Sequence, residues 1–194
     1  MKHVFFEQLT QEMINELTLT PWRTTETFVT RGAFMHCTNG THEEVLNQPT
    51  VNGVYINENP MMTVKDCNPS TSSGRNPESE VVGKNIDGNF HSFGYCRSEI
   101  HPRAKIVEEY KIPPDKIGGL PVAFNPETYE MQFVYPCVPK IDSEWEFGSS
   151  NVFINNVAVL TNKSCLRCKN NGTIRFLTNG MDIPPIQFIE HYMK

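Results

Sequence analysis

Nowhere does this sequence offer the roughly 18 consecutive apolar residues that a membrane-spanning helix needs, so no such helix is expected. Basic charge is also scarce. The 17 Lys and Arg are outnumbered by 22 Asp and Glu, for a net charge of -5, and no cluster of cations stands ready to neutralise phosphates. Nucleic-acid binding is therefore not expected. The opening Met1-Lys2-His3-Val4-Phe5-Phe6 runs straight into Glu7, Gln8 and Glu12. That apolar run is too short for a secretory signal and has no small-residue cleavage site, so a cytosolic chain is expected. Also missing are a Gly-x-Ser-x-Gly elbow, a phosphate loop, a dinucleotide fingerprint and a His-Glu-x-x-His pair. With none of these, the expectation is that the chain is not an enzyme.

Turn chemistry is plentiful instead. Fourteen Pro and 12 Gly, with many Asn and Thr, punctuate the chain every few residues and favour short strands over long helices. A mainly β fold follows. The one clear helical period lies over residues 4–19, where Phe5, Leu9, Met13 and Leu17 recur until Thr20-Pro21 ends it. Short apolar runs at 51–56, 131–135 and 151–160 predict strands. Residues 68–89 read as a polar surface loop, 105–110 as a helical turn, and the tail from 182 as a short amphipathic helix carrying Ile186, Phe188, Ile189 and Tyr192. The expected organisation is a helical extension at 1–27, a β body at 28–178 with a loop insertion at about 68–90, and a C-terminal extension at 179–194.

Compared with itself, the chain shows a repeat. Val54, Ile56, Asn57, Thr63, Lys65 and Cys67 recur without a gap as Val152, Ile154, Asn155, Thr161, Lys163 and Cys165. Each copy predicts a hairpin turning at residues 57–59 or at Asn155-Asn156, since Asn accepts left-handed backbone, and each ends on a Cys. A shorter echo links Cys37-Thr38-Asn39-Gly40-Thr41 to Cys168-Lys169-Asn170-Asn171-Gly172-Thr173, setting Cys37 and Cys168 before comparable glycine turns.

The six Cys are Cys37, Cys67, Cys96, Cys137, Cys165 and Cys168. In a reducing compartment they favour metal ligation or plain thiols over disulfides. Only Cys165-Leu166-Arg167-Cys168 has zinc-knuckle spacing, and a thioredoxin-like role is poorly served by a hairpin before it and a glycine turn after it. Pseudo-repeated hairpins meeting at one vertex would bring four thiolates together, matching zinc's tetrahedral preference. The expected ligands are Cys37, Cys96, Cys137 and Cys168. Cys67 and Cys165 are substitutes, His36 and His42 are outside alternatives, and buried structural thiols are the plainer reading.

The order of landmarks resembles PAAR-like proteins across residues 29–176. These are Arg31-Gly32-Ala33 leading to Cys37, Asp66-Cys67-Asn68-Pro69, Phe93-Gly94-Tyr95-Cys96, Pro136-Cys137-Val138-Pro139, Trp145 to Gly148, and Cys165 to Cys168 before Gly172-Thr173-Ile174. The Pro-Ala-Ala-Arg signature itself is absent. The resemblance implies a small cone of pseudo-threefold β-hairpins with a structural metal, zinc, near its apex. It implies docking on the trimeric β-helical spike of a type VI secretion system or related contractile injector, with effectors or chaperones linked through the extensions. It further implies a protein made in the bacterial cytoplasm, assembled on the apparatus and exported without a signal peptide. Two other readings stand beside it: an intracellular zinc-stabilised protein-interaction module, and a cysteine-dependent enzyme.

Overall fold

The computed structural model describes residues 25–71, 87–104, 122–125 and 130–181. The helical patterns expected at 4–19 and 105–110, and the tail helix, lie outside the described residues, as does most of the loop expected at 68–89. Within them, helix is confined to residues 102–104. The fold is mainly β, as the turn-rich composition predicts.

Among the described residues, twelve short strands follow in order: β1 (Phe34–Cys37), β2 (Glu44–Val45), β3 (Tyr55–Ile56), β4 (Asn59–Pro60), β5 (Tyr95–Cys96), β6 (Val122–Asn125), β7 (Glu130–Phe133), β8 (Tyr135–Pro136), β9 (Phe153–Ile154), β10 (Val157–Ala158), β11 (Cys165–Arg167) and β12 (Thr173–Phe176). One sheet has four strands in the order β11-β12-β1-β2, and the other pairs are β3–β4, β5–β8, β6–β7 and β9–β10, all antiparallel.

The two repeats are twin hairpins. Asn57 and Glu58 in one, and Asn155 and Asn156 in the other, have positive φ of 47° and 66°, and 49° and 64°. Two successive left-handed residues make the tight primed turn that matches strand twist. The turn predicted at 57–59 is therefore tighter, and Asn59 belongs to β4. The strand predicted over 51–56 also begins only at Tyr55, because Gly53 takes φ +84° and the Asn52 side chain accepts the Val54 N–H. After each hairpin a β-turn forms. Asp66 N–H donates to Thr63 O at 3.0 Å, and Ser164 N–H to Thr161 O at 2.9 Å. The Thr63 N–H is capped by Asp66 Oδ2, and the Thr161 N–H by Ser164 Oγ.

A third copy, sharing only its final Thr with the two repeats, is Phe28-Val29-Thr30. The three segments close on one another through a ring of buried backbone hydrogen bonds: Val29 N–H to Leu160 O (3.0 Å), Leu160 N–H to Met62 O (2.8 Å) and Met62 N–H to Val29 O (3.1 Å). A second ring repeats the pattern, with Arg31 N–H to Pro60 O, Val64 N–H to Ala158 O and Asn162 N–H to Thr27 O, each 2.9 Å. Antiparallel bridges Phe28–Thr161, Thr30–Met61 and Thr63–Val159 complete a pseudo-threefold triangle.

Successive side chains of a strand point to opposite faces, so the triangle has two apolar sides. Phe28, Met61 and Val159 join Ile56, Val152 and Ile154 under the hairpins. Val29, Met62 and Leu160 enter the main core with Met35, Leu46, Phe90, Phe93, Trp145, Leu166, Ile174 and Phe176. Trp145 stacks on Phe176 with centroids 4.7 Å apart. Residues 68 and 89, on either side of the undescribed stretch 72–86, are hydrogen-bonded to each other. Asn68 N–H donates to Asn89 Oδ1, Asn89 N–H to Asn68 O, and Asn89 Nδ2 to Asn47 O.

Candidate functional site: four thiols around one cavity

Four cysteines distant in sequence end at one place because each terminates a short strand. Cys37 closes β1, Cys96 closes β5, Cys137 follows β8 and Cys168 follows β11. All four line a single cavity of about 10 Å³, together with Gly40, Phe93, Pro139, Gly172 and Ile174. That volume is about the room for one small guest, a single water or ion. These are the four residues the sequence analysis picked out. Among the described residues, however, no three His, Cys, Asp or Glu side chains are drawn into a metal-ligand arrangement. The thiols share a cavity without closing on a common centre.

The remaining candidates lie elsewhere. Cys67 lines a separate open groove with Lys65, Asn68, Ile141 and Glu144. Cys165 is buried, with its thiol 3.7 Å from Glu146 Oε2. Neither His36 nor His42 lines the cavity; His42 Nδ1 meets Thr41 Oγ1 at 2.7 Å. All six cysteines are free thiols.

Local sequence explains how the sulfurs gain their room. A Cβ added to Gly172 would stand 2.5 Å from Cys37 Sγ, and one added to Gly40 would stand 2.7 Å from Phe93 Cβ and 3.2 Å from Cys37 Cβ. Backbone N–H groups point at the sulfurs. Lys140 N–H approaches Cys168 Sγ at 3.5 Å, while Asn39 and Gly40 serve Cys37, Ser98 serves Cys96 and Phe93 serves Cys137. The segment bearing Lys140 is tied back by Lys169 N–H to Lys140 O (2.9 Å) and by the Lys169–Asp142 ion pair (2.7 Å).

Electrostatically the cavity is hostile to bare thiolates. Burial pushes the Cys37 thiol up to about 12; its backbone donors pull the other way, and the Cys168 and Cys96 thiols push it further. Burial likewise pushes Cys137 up to about 12, with Cys37, Cys96 and Cys168 adding to it, and raises Cys96. Arg97 lies beside this group. Desolvation lowers its pKa while the Cys96 and Cys37 thiols raise it, and its Nε is buried without a hydrogen-bond partner among the described residues. The donor set fits a soft divalent cation. It combines four sulfurs, N–H donors aimed at them, glycines that leave them space, and a guanidinium able to offset the excess negative charge of a four-thiolate site.

Fold and site together define a mainly β domain in which two twin hairpins and the Phe28-Val29-Thr30 segment close a pseudo-threefold triangle, with four cysteines lining one cavity. Residues 29–181 match the family described as domain of unknown function DUF4280, and the chain belongs to that family. No curated protein and no solved structure matches it.

The first member of the triangle and Arg97 were not picked out from sequence. Phe28-Val29-Thr30 does share its Thr with Met61-Met62-Thr63 and Val159-Leu160-Thr161, a signal three residues long.

Proposed function

We propose that this protein is the metal-stabilised tip of a contractile injector, of the PAAR-like kind, and caps the trimeric β-helical spike of a type VI secretion system or a related apparatus. The observation that carries the reading is the closed three-way ring of Val29, Met62 and Leu160. A single chain that builds threefold symmetry into its backbone presents repeated contacts to a threefold partner, and symmetric assemblies are held by such matched surfaces. On the hairpin side of the triangle, Tyr55 and Phe153 stand at equivalent positions with 50% and 54% of their surface exposed. Paired exposed aromatics of this kind are typical interface anchors. Effectors or chaperones would be carried through the segments outside residues 28–178.

On the other side of the triangle, Cys37, Cys96, Cys137 and Cys168 would hold one zinc ion. Bound there, zinc supplies cross-linking free energy to a fold of two- to four-residue strands. Thiols pushed up to about 12 by burial make weak nucleophiles, which favours a structural over an enzymatic role. No helix among the described residues is long and apolar enough to cross a membrane. The reading has the protein made in the bacterial cytoplasm and exported on the apparatus without a signal peptide.

The test is capture. The purified chain is mixed with a trimeric β-helical spike protein from a contractile injector and run on size exclusion with light scattering. One chain per trimer is expected. A chain that stays monomeric beside every spike trimer tried would overturn the reading and favour an intracellular zinc-stabilised interaction module.

A further inference from the structure

The four-stranded sheet places β1, which ends on Cys37, and β11, which leads into Cys168, on opposite sides of β12. β1 and β11 both pair with β12, with Cys37 opposite Ile174 from one side and Leu166 opposite Ile174 from the other. Just beyond β11, Cys168 N–H donates to Gly172 O at 2.8 Å. Two strand spacings put the flanking backbones about 9.5 Å apart, whereas a disulfide needs Cα atoms within about 7 Å. The side chains can nevertheless approach just before the strand begins, because residue 172, immediately preceding β12, carries none. A Cβ there would stand 2.5 Å from Cys37 Sγ and 3.7 Å from Cys168 Cβ. The φ of Gly172 lies outside the left-handed region, so the demand for glycine is one of space.

Resting on the metal-centre reading above, we propose that Gly172 is a positioning residue of that centre. It lets Cys37 and Cys168 share one cation across β12, while the strand between them bars their direct disulfide. A thiol pair linked by register would be lost to oxidation outside a reducing cytosol; a pair separated by a strand keeps both sulfurs available as ligands.

Two measurements test this. Cobalt(II), which takes zinc's tetrahedral sites and reports thiolate ligation through a charge-transfer band, is titrated into the wild-type chain and into Gly172→Ala. Near-UV circular dichroism of the Trp145–Phe176 stack serves as the fold control. At least about a tenfold loss of affinity with a weakened band is expected for the variant, and an unchanged affinity and spectrum would overturn the proposal. Separately, the metal-free wild-type chain is exposed to oxidised glutathione. Each protein disulfide formed there releases two glutathione thiols. Peptide mapping should find no Cys37–Cys168 bond while the native dichroism persists, and finding that bond would overturn the proposal even if the alanine variant fails to fold. If the wild-type chain binds no cobalt at all, the metal-centre reading fails, and the disulfide map still decides whether β12 keeps the pair apart.

Discussion

Trp145 donates its indole N–H to the Asp66 carbonyl at 2.9 Å while its ring stacks on Phe176, joining the turn after the first hairpin to the main core. Trp145→Phe keeps a ring but leaves that carbonyl without its donor. A loss of about 1–3 kcal/mol is expected, against about 3–5 kcal/mol for Trp145→Ala. Urea unfolding of the two variants measures both.

Metal removal gives a second expectation. Chelation should release about one zinc per chain and make four thiols newly reactive, with a marked fall in melting temperature. Serine at any one of Cys37, Cys96, Cys137 or Cys168 should abolish tight binding, whereas Cys67→Ser and Cys165→Ser should leave stoichiometry unchanged. Elemental analysis with thiol counting separates these outcomes. Undiminished zinc in Cys96→Ser and Cys137→Ser together would remove the four-thiol cluster from consideration.

Asp66 supplies a pH signature. Burial raises its pKa above the usual carboxylate value, against the pull of the Thr63 N–H and hydroxyl and of the Asn89 and Gln48 side chains. A carboxyl whose folded pKa is raised contributes stability below its unfolded value of 3.8, and that contribution is lost as pH rises through the folded value. Asp66→Asn removes this dependence. The melting temperature of the variant relative to wild type should therefore climb as the pH rises from about 4 through the raised folded value, as differential scanning calorimetry would record.

The twin turns predict a stabilising change. Glu58 carries φ 66° where its counterpart Asn156 carries 64°, and a side chain without Asn's local hydrogen bonding pays more for left-handed backbone. Glu58→Asn should add about 0.5 kcal/mol. Asn57→Val, placing a β-branched residue at φ 47°, should cost about 1–2 kcal/mol.

At the hairpin face, Tyr55→Ala and Phe153→Ala should each weaken spike capture by about 2 kcal/mol with little change in melting temperature. Equal capture by the double variant would move the docking surface elsewhere.

Much of this was legible from sequence where the information is local. Both hairpins announce themselves through the paired Val-x-Ile-Asn runs. The four cysteines could be singled out because each precedes or follows a turn. What the sequence hides is pairing over distance. Nothing in Phe28-Val29-Thr30 says that it bonds Leu160 and Met62, because backbone hydrogen bonds leave no mark on side-chain choice. Glu44-Val45 forms an edge strand although Glu44 is buried, since its carboxylate accepts the N–H groups of Val45 and Ser92. Hydrophobic alternation cannot signal a strand only two residues long. Arg97 adjoins Cys96 in the chain, but its place beside the other thiols follows only from the β5–β8 pairing that brings Cys96 to them.

The ring of Val29, Met62 and Leu160 also sets a schedule for biogenesis. Val29 leaves the ribosome well before Leu160 and cannot close the triangle until Leu160 has followed. At translation rates of about 5–20 residues per second, that wait is on the order of ten seconds. Throughout it, Phe28 and Val29 have no completed core to enter. The triangle of such a chain can close only after its last repeat is made.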